Sequence, residues 1–349
     1  MVSFVISLLS NEYCDFDMSL VLHKTNLTIL TNVPMWQRSS IITRCFITHT
    51  LSLLFGYHVG IFVIFFNASF VILNSAICSL VICVIAIFKI LLPTAQLKAK
   101  GTEAANKVMW IWATVNAGIL ALSNRVEWDV QGIENLKKDG WYLLISNHLS
   151  WTDIVVLCCV FKDRIPMPKF FLKQQLLYVP FIGMACWALD MPFMRRYSRE
   201  YLIRNPHKRG QDLATTRRSC AKFKHTPTTV VNYVEGTRFT EEKQRKSKAG
   251  YQYLLQPKSG GIAYTLAAMG EQFENIIDVT LAYPENTDKP FKDMLMGRMT
   301  KIVVHVKVLP VDEQVLGDYF NDKPYKRQFQ QWLGDVWQEK DQLLQEIHK

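Results

Sequence analysis

Hydrophobic residues are distributed very unevenly along this chain. Positions 45–88 form 44 consecutive residues without Asp, Glu, Lys or Arg, rich in Leu, Ile, Val and Phe. One bilayer crossing takes about 20 residues, so the run predicts an apolar helical hairpin of two segments. Its turn is expected at the polar break Asn67-Ala68-Ser69 and Asn74-Ser75. Arg38 and Arg44 precede the run, Lys89, Lys98 and Lys100 follow it, and the turn carries no charge. That asymmetry puts both ends on the cytoplasmic side. An interfacial hairpin that dips in without crossing, or a buried core hairpin, fits the same pattern. Segment 104–122, with Trp110, Trp112 and Leu120 and a single charge, predicts a helix lying against the membrane or a core.

From about residue 125 the texture changes to short apolar runs separated by turn signals. Strands are expected over 141–145, 228–234, 276–281 and 301–309, and helices over 151–160, 211–224 and 259–270. This alternation predicts an α/β fold with a single domain and a largely parallel sheet flanked by helices. In the tail 325–347, Phe329, Trp332, Val336, Trp337, Leu343, Leu344 and Ile347 fall near helical spacing, as in an amphipathic helix. The expected organisation is an N-terminal extension (1–44), the hairpin (45–93), an interfacial or connecting helix (94–124), the α/β domain (125–310) and the C-terminal helical segment (311–349). A cleavable signal peptide is not expected, because 44 residues precede the apolar run.

Composition narrows the partners. The 349 residues carry a formal net charge of +10, with a pI of about 9.1 and a mean hydropathy of +0.06. Such a balance favours an anionic partner: nucleic acid, an anionic membrane surface or an acidic substrate. No recognition helix or aromatic platform supports nucleic acid. Cys14, Cys45, Cys78, Cys83, Cys158, Cys159, Cys186 and Cys220 form no CxxC pair and read as free thiols in a reducing compartment. No metal ligand spacing is present, and no metal or cofactor is expected.

Three residue groups offer chemistry. A His with an Asp five residues on occurs twice, as His148/Asp153 and His207/Asp212. His207 sits in the charged, turn-rich stretch Arg204 to Gly210, a solvated loop. His148 lies between an expected strand and an expected helix. There a carboxylate in the first helical turn can accept from one imidazole nitrogen and leave the other free as a base. A structural histidine beside a helix-start charge is the plainer alternative. Asn147 and Ser150 are suited to holding that turn. The second group, Glu235-Gly236-Thr237-Arg238, follows a strand. Its glycine permits close approach, and its guanidinium matches a phosphate; an ordinary polar turn would look similar. The third runs from Lys173 through Leu176 and Gly183 to Arg195 and Arg196, an apolar stretch rimmed by cations that suits an amphiphile with an anionic head.

Together these residues resemble the glycerolipid acyltransferases, the 1-acylglycerol-3-phosphate acyltransferase (PlsC-like) family. Asn147, His148 and Asp153 match Asn-His-x4-Asp. Lys173, Leu176, Gly183 and Arg196 match Lys-x2-Leu-x6-Gly-x12-Arg, and 235–238 match Glu-Gly-Thr-Arg, in the family's order. The fourth motif, usually a Val-Pro pair, has Thr280 in the proline position. The closest likeness is to bacterial inner-membrane acyltransferases of the YihG type. The resemblance implies transfer of a fatty acyl group from acyl-CoA or acyl carrier protein to the hydroxyl of lysophosphatidate or a related lysophospholipid. His148 would be the general base and Asp153 its brace. Arg238, Lys173 and Arg196 would hold the acceptor phosphate, Gly236 and Thr237 would shape that pocket, and Glu235 would orient Arg238 or touch the acceptor. It also implies a membrane enzyme whose catalytic domain faces the cytoplasm of a bacterial cell, in contact with membrane phospholipids. The rival readings are a non-catalytic, membrane-anchored binder of anionic ligands and a thioesterase-like lipid hydrolase.

Overall fold

The computed structural model describes residues 35–179, 182–194, 204, 214, 220, 223, 226–247 and 250–349, with side chains from residue 60 onward except those of 95, 173, 182 and 194. The second His/Asp pair, Arg195, Arg196 and most of the helix expected over 211–224 lie outside the described residues.

The apolar run is one 57-residue helix, α1 (Met35–Leu91), and the turn expected at 67–75 does not form. No Gly or Pro lies between 61 and 92 to break it. The polar side chains read as a turn are instead contacts to neighbouring elements. Asn67 Nδ2 donates to Leu295 O and to Ser123 Oγ, both at 2.8 Å. Asn74 Nδ2 donates to Asn116 Oδ1 at 2.8 Å, and the Trp112 indole donates to Ser75 Oγ at 2.9 Å. The chain does reverse, but later, at Leu92 to Thr94, where Pro93 cannot continue a helix. Thr94 Oγ1 then caps α2 (Ala95–Ser123) by accepting from the Leu97 amide. Ala86 and Ala105 share one buried cluster, while Asn74 meets Asn116, so the two helices pack antiparallel. The outer side of α1 leaves Phe62, Phe65, Leu73, Leu80, Phe88 and Leu91 exposed, a continuous apolar face of the kind that meets lipid.

The α/β part runs β1 (Glu127–Gln131), β2 (Tyr142–Ser146), α3 (Thr152–Phe161), β3 (Pro168–Phe170), β4 (Leu172–Lys173), α4 (Ile182–Ala188), β5 (Phe193–Met194), β6 (Thr229–Tyr233), α5 (Glu241–Ser247), α6 (Ser259–Met269), β7 (Asn275–Ala282), α7 (Pro290–Leu295), β8 (Lys301–Pro310) and α8 (Lys323–Ile347). Six strands form the main sheet in the order β1-β8-β7-β2-β6-β3; β4 and β5 pair separately. Every pairing in the main sheet is parallel except β7 with β8. The short edge strand β1 escaped the sequence reading, because Glu-Trp-Asp-Val-Gln lacks the apolar run that marks a buried strand.

Each face of the sheet is covered, so central strands bury both sets of side chains. Leu144, Ile277, Val279 and Leu281 pack with Val156 and Leu157 of α3. Ile145, Val230 and Ile276 pack on the other face with Ile262 and Leu266 of α6 and with Phe329, Leu333 and Trp337 of α8. Burial of each such side chain contributes roughly 1.5–3 kcal/mol before entropy. Hence α8, the expected amphipathic tail, lays its stripe on the domain itself.

Candidate active site

β2 and β6 are adjacent and parallel, with Ile145 opposite Asn232 and Ser146 opposite Tyr233. Segments that leave their carboxyl ends therefore emerge side by side, the usual place for a ligand in such a sheet. His148 follows β2, and residues 235–238 follow β6. A 2.7 Å hydrogen bond from the Phe239 amide to His148 O joins the two loops.

The β2–α3 loop is built by side chains that replace backbone pairing. Asn147, fully buried, donates to Leu281 O and accepts from Leu281 N, each at 2.9 Å, and so ties the loop to the end of β7. Ser150 Oγ accepts from the Thr152 amide at 3.2 Å, at the start of α3. This turn lets His148 and Asp153 meet, which five positions along one continuous helix would not. His148 Nδ1 lies 2.7 Å from Asp153 Oδ2. The same oxygen accepts from the amides of Leu149 (2.8 Å) and Ser150 (3.0 Å), while Oδ1 accepts from the Tyr283 hydroxyl at 2.8 Å. Asp153 is fully buried, whereas the His148 side chain keeps 17% of its surface. An ionised carboxylate can only accept, so Nδ1 carries the proton and Nε2 is left as the basic atom. The imidazole lies flat on the Tyr233 ring, with centroids 4.0 Å apart.

His148 opens on a cavity of about 620 Å³ whose walls include Trp151, Phe170, Leu172, Tyr233, Thr237 and Arg238. Gly236 has φ 68°, the left-handed region that glycine enters without strain. Arg238 is exposed and lies 5.2 Å above the Trp151 ring. Lys243 Nζ donates to Thr237 Oγ1 and Arg238 O, adding a second cation beside the turn. The cavity lining thus combines apolar and aromatic side chains with the cationic Arg238.

Glu235 is not at this surface, which corrects the expectation that it touches the acceptor or orients Arg238. It is 1% exposed and absent from the cavity wall. Neither of its oxygens meets a well-aligned donor. Desolvation pushes its carboxyl up to about 8, against weak help from the Leu255 amide. Lys173 is placed in β4, beside the cavity-lining Leu172. Gly183 serves packing: a Cβ there would sit 2.1 Å from Leu177 O. Leu176 lies in the 3₁₀ turn over Gln174–Tyr178. Cys158 and Cys159 are unsuited to nucleophilic work, since burial pushes their thiols up to about 12 and about 11.

Sequence reasoning passed over Trp151, Tyr233, Lys243 and Tyr283. Tyr233 and Tyr283 stood inside motif stretches, but only strand pairing brings them onto His148 and Asp153.

A protein-family model described as Acyltransferase matches residues 127–283. Over this stretch the chain is similar to that family. The chain is 26% identical over 220 residues to lysocardiolipin acyltransferase 1 of Mus musculus, covering 59% of this chain and 54% of the relative. It is 27% identical over 234 residues to 1-acyl-sn-glycerol-3-phosphate acyltransferase gamma of Homo sapiens, covering 63% and 56%. The chain therefore spans about half the length of the curated relatives it matches. The crystal structure of the 1-acyl-sn-glycerophosphate acyltransferase PlsC from Thermotoga maritima superposes with a TM-score of 0.47 at 15% identity, over 83% of this chain and 96% of that one. In α1 the span Gly60–Leu91 is long and apolar enough to cross a membrane.

Proposed function

We propose that the protein transfers a fatty acyl group from the thioester of acyl-CoA or acyl carrier protein to the free hydroxyl of lysophosphatidate or a related lysophospholipid. The observation that carries this reading is the 2.7 Å His148–Asp153 contact at the wall of a cavity lined by aromatic side chains and Arg238. His148 Nε2 takes the proton of the acceptor hydroxyl, and Asp153 orients the imidazole and stabilises its charged form. The acceptor oxygen attacks the thioester carbonyl, the C–S bond breaks, and the departing thiolate takes the proton from His148. Arg238, with Lys173 and Arg196, holds the acceptor phosphate; Gly236 and Thr237 shape its seat.

The apolar face of α1 supports the membrane side of this reading. α1 meets the α/β domain at Asn67 through Leu295 and at Lys89 through Asp190, so the domain flanks this stretch of helix instead of capping one end. That arrangement suits a helix lying in one leaflet, with the cavity within reach of a lipid acceptor. The cationic flanks of α1 support the cytoplasmic leaflet, in a bacterial inner membrane by the YihG-type likeness.

The test is purified protein with one labelled acyl-CoA, offered lysophosphatidate beside zwitterionic, neutral and other anionic lysolipids. Acylated product strongest with the phosphate monoester is expected. Free fatty acid without acylated lipid would make the protein a hydrolase. No turnover of any donor, with retained anionic-lipid binding, would make it a non-catalytic binder.

A further inference from the structure

Asp153 is held at both oxygens, by different parts of the fold. Oδ2 takes the His148 imidazole and two amides of its own loop. Oδ1 takes the hydroxyl of Tyr283, 130 residues away and directly after β7. Tyr283 is 1% exposed, and Asp153 is fully buried. We propose that Tyr283 is a positioning residue for acyl transfer: its hydroxyl fixes the plane of the Asp153 carboxylate, and through it the imidazole of His148. The proposal rests on His148 being the base of the reaction proposed above.

Local structure gives Tyr283 little freedom. Leu281 and Tyr283 stand on the same face of the strand, as period-two alternation requires. Pro284 follows, and the residue before a proline is held extended. Asn147 clamps both backbone groups of Leu281, two residues upstream, to the loop that carries His148. The phenol thus reaches the carboxylate from a strand end whose register the loop itself sets.

The hydroxyl acts as a donor only. Burial, and then the charge of Asp153, push the Tyr283 phenol well above its ordinary value, so it keeps its proton at any working pH. Without it, Oδ1 is a buried charged oxygen with no donor. The carboxylate is then held at Oδ2 alone and tilts about its Cβ–Cγ bond, which shifts Nδ1, and a base displaced by a fraction of an ångström loses rate while substrate binding is untouched.

The experiment is Tyr283→Phe, alone and combined with Asp153→Asn, in the acyl-transfer assay with full-length protein. The single variant is expected to lower kcat about 10- to 100-fold, with both KM values within about twofold of wild type. In the Asp153→Asn background the same change is expected to cost less than about twofold, because the hydroxyl acts through that carboxylate. A kcat within about twofold of wild type, or an equal loss in both backgrounds, overturns the proposal. Should Tyr283→Phe fail to fold, Tyr283→Gln against Tyr283→Leu compares a side chain that can donate with one that cannot, and equal rates overturn it. An active wild type with an indifferent Tyr283 refutes this inference alone; a wild type that acylates no lysolipid removes the underlying reading and this inference with it.

Discussion

Asp153 and Glu235 are two buried carboxyl groups at the same edge of the sheet, and their surroundings are opposite. Asp153 meets four donors, from an imidazole, two amides and a phenol. Glu235 has no well-aligned donor at either oxygen, and desolvation pushes it up to about 8. The charge of Asp153 pushes it the same way, and Lys340 of α8 opposes; Lys340 sits 2.7 Å from Asp278 of β7, and its Nζ also donates to Val279 O and Thr280 Oγ1. Desolvation pulls Lys340 down, with Asp278 and then Glu235 opposing. Burial alone therefore does not decide what a carboxyl group does. Asp153 sits in a ring of donors that aim it at the imidazole, while Glu235 has no such ring and desolvation pushes its carboxyl up.

The comparison is broken most directly at the base. His148→Ala is expected to lower kcat by about 10³-fold or more, with membrane association retained, read as labelled acylated lipid. Residual turnover near wild type would show that the donor-rich side does no chemistry. Lys340→Met leaves Asp278 buried and uncompensated, and should cost roughly 3–5 kcal/mol in denaturant unfolding, with Lys340→Met/Asp278→Leu recovering much of it. Glu235→Gln sharpens the contrast through pH. Between its ordinary 4.5 and about 8 the folded protein keeps a proton that the unfolded chain gives up, so wild-type stability falls as pH rises through that window. The glutamine variant lacks this loss, and the difference should grow by up to about 1.4 kcal/mol per pH unit. Thermal unfolding of the two proteins from pH 5 to 9 measures it, and parallel curves would show that Glu235 ionises normally. Arg238, outside both clusters, gives the smallest effect: Arg238→Ala should raise the acceptor KM about tenfold with kcat little changed.

Thr280 joins these regions. Its hydroxyl accepts from Lys340 Nζ at 3.1 Å and so serves the buried ion pair of α8. Nothing local in the sequence announces this. Lys340 reads there as a solvated residue of an amphipathic helix, and it is buried only because the α8 stripe lies across β7.

Much of the architecture was legible from residues alone. The strands β2, β6, β7 and β8 and the helices α2, α3, α6 and α8 follow from periodicity and turn signals, since each buries an apolar face that its own sequence displays. The edge strand β1 and the three-residue β3 carry too few apolar residues to signal themselves. The hairpin turn was misplaced because Asn67 and Asn74 look like a break until their partners, Leu295 and Asn116, are known. Residue types and spacing by themselves determined the apolar run and the alternating fold and singled out His148 and Asp153 as a pair that a turn could bring together, while the acyltransferase likeness rested on resemblance to a family. Tertiary structure alone decided that Tyr283 completes the carboxylate's donors, that Glu235 faces inward and that Lys340 is buried. The physical reason is that hydrogen bonding and desolvation depend on neighbours 100 or more residues away, and their proximity is set by strand order and helix packing.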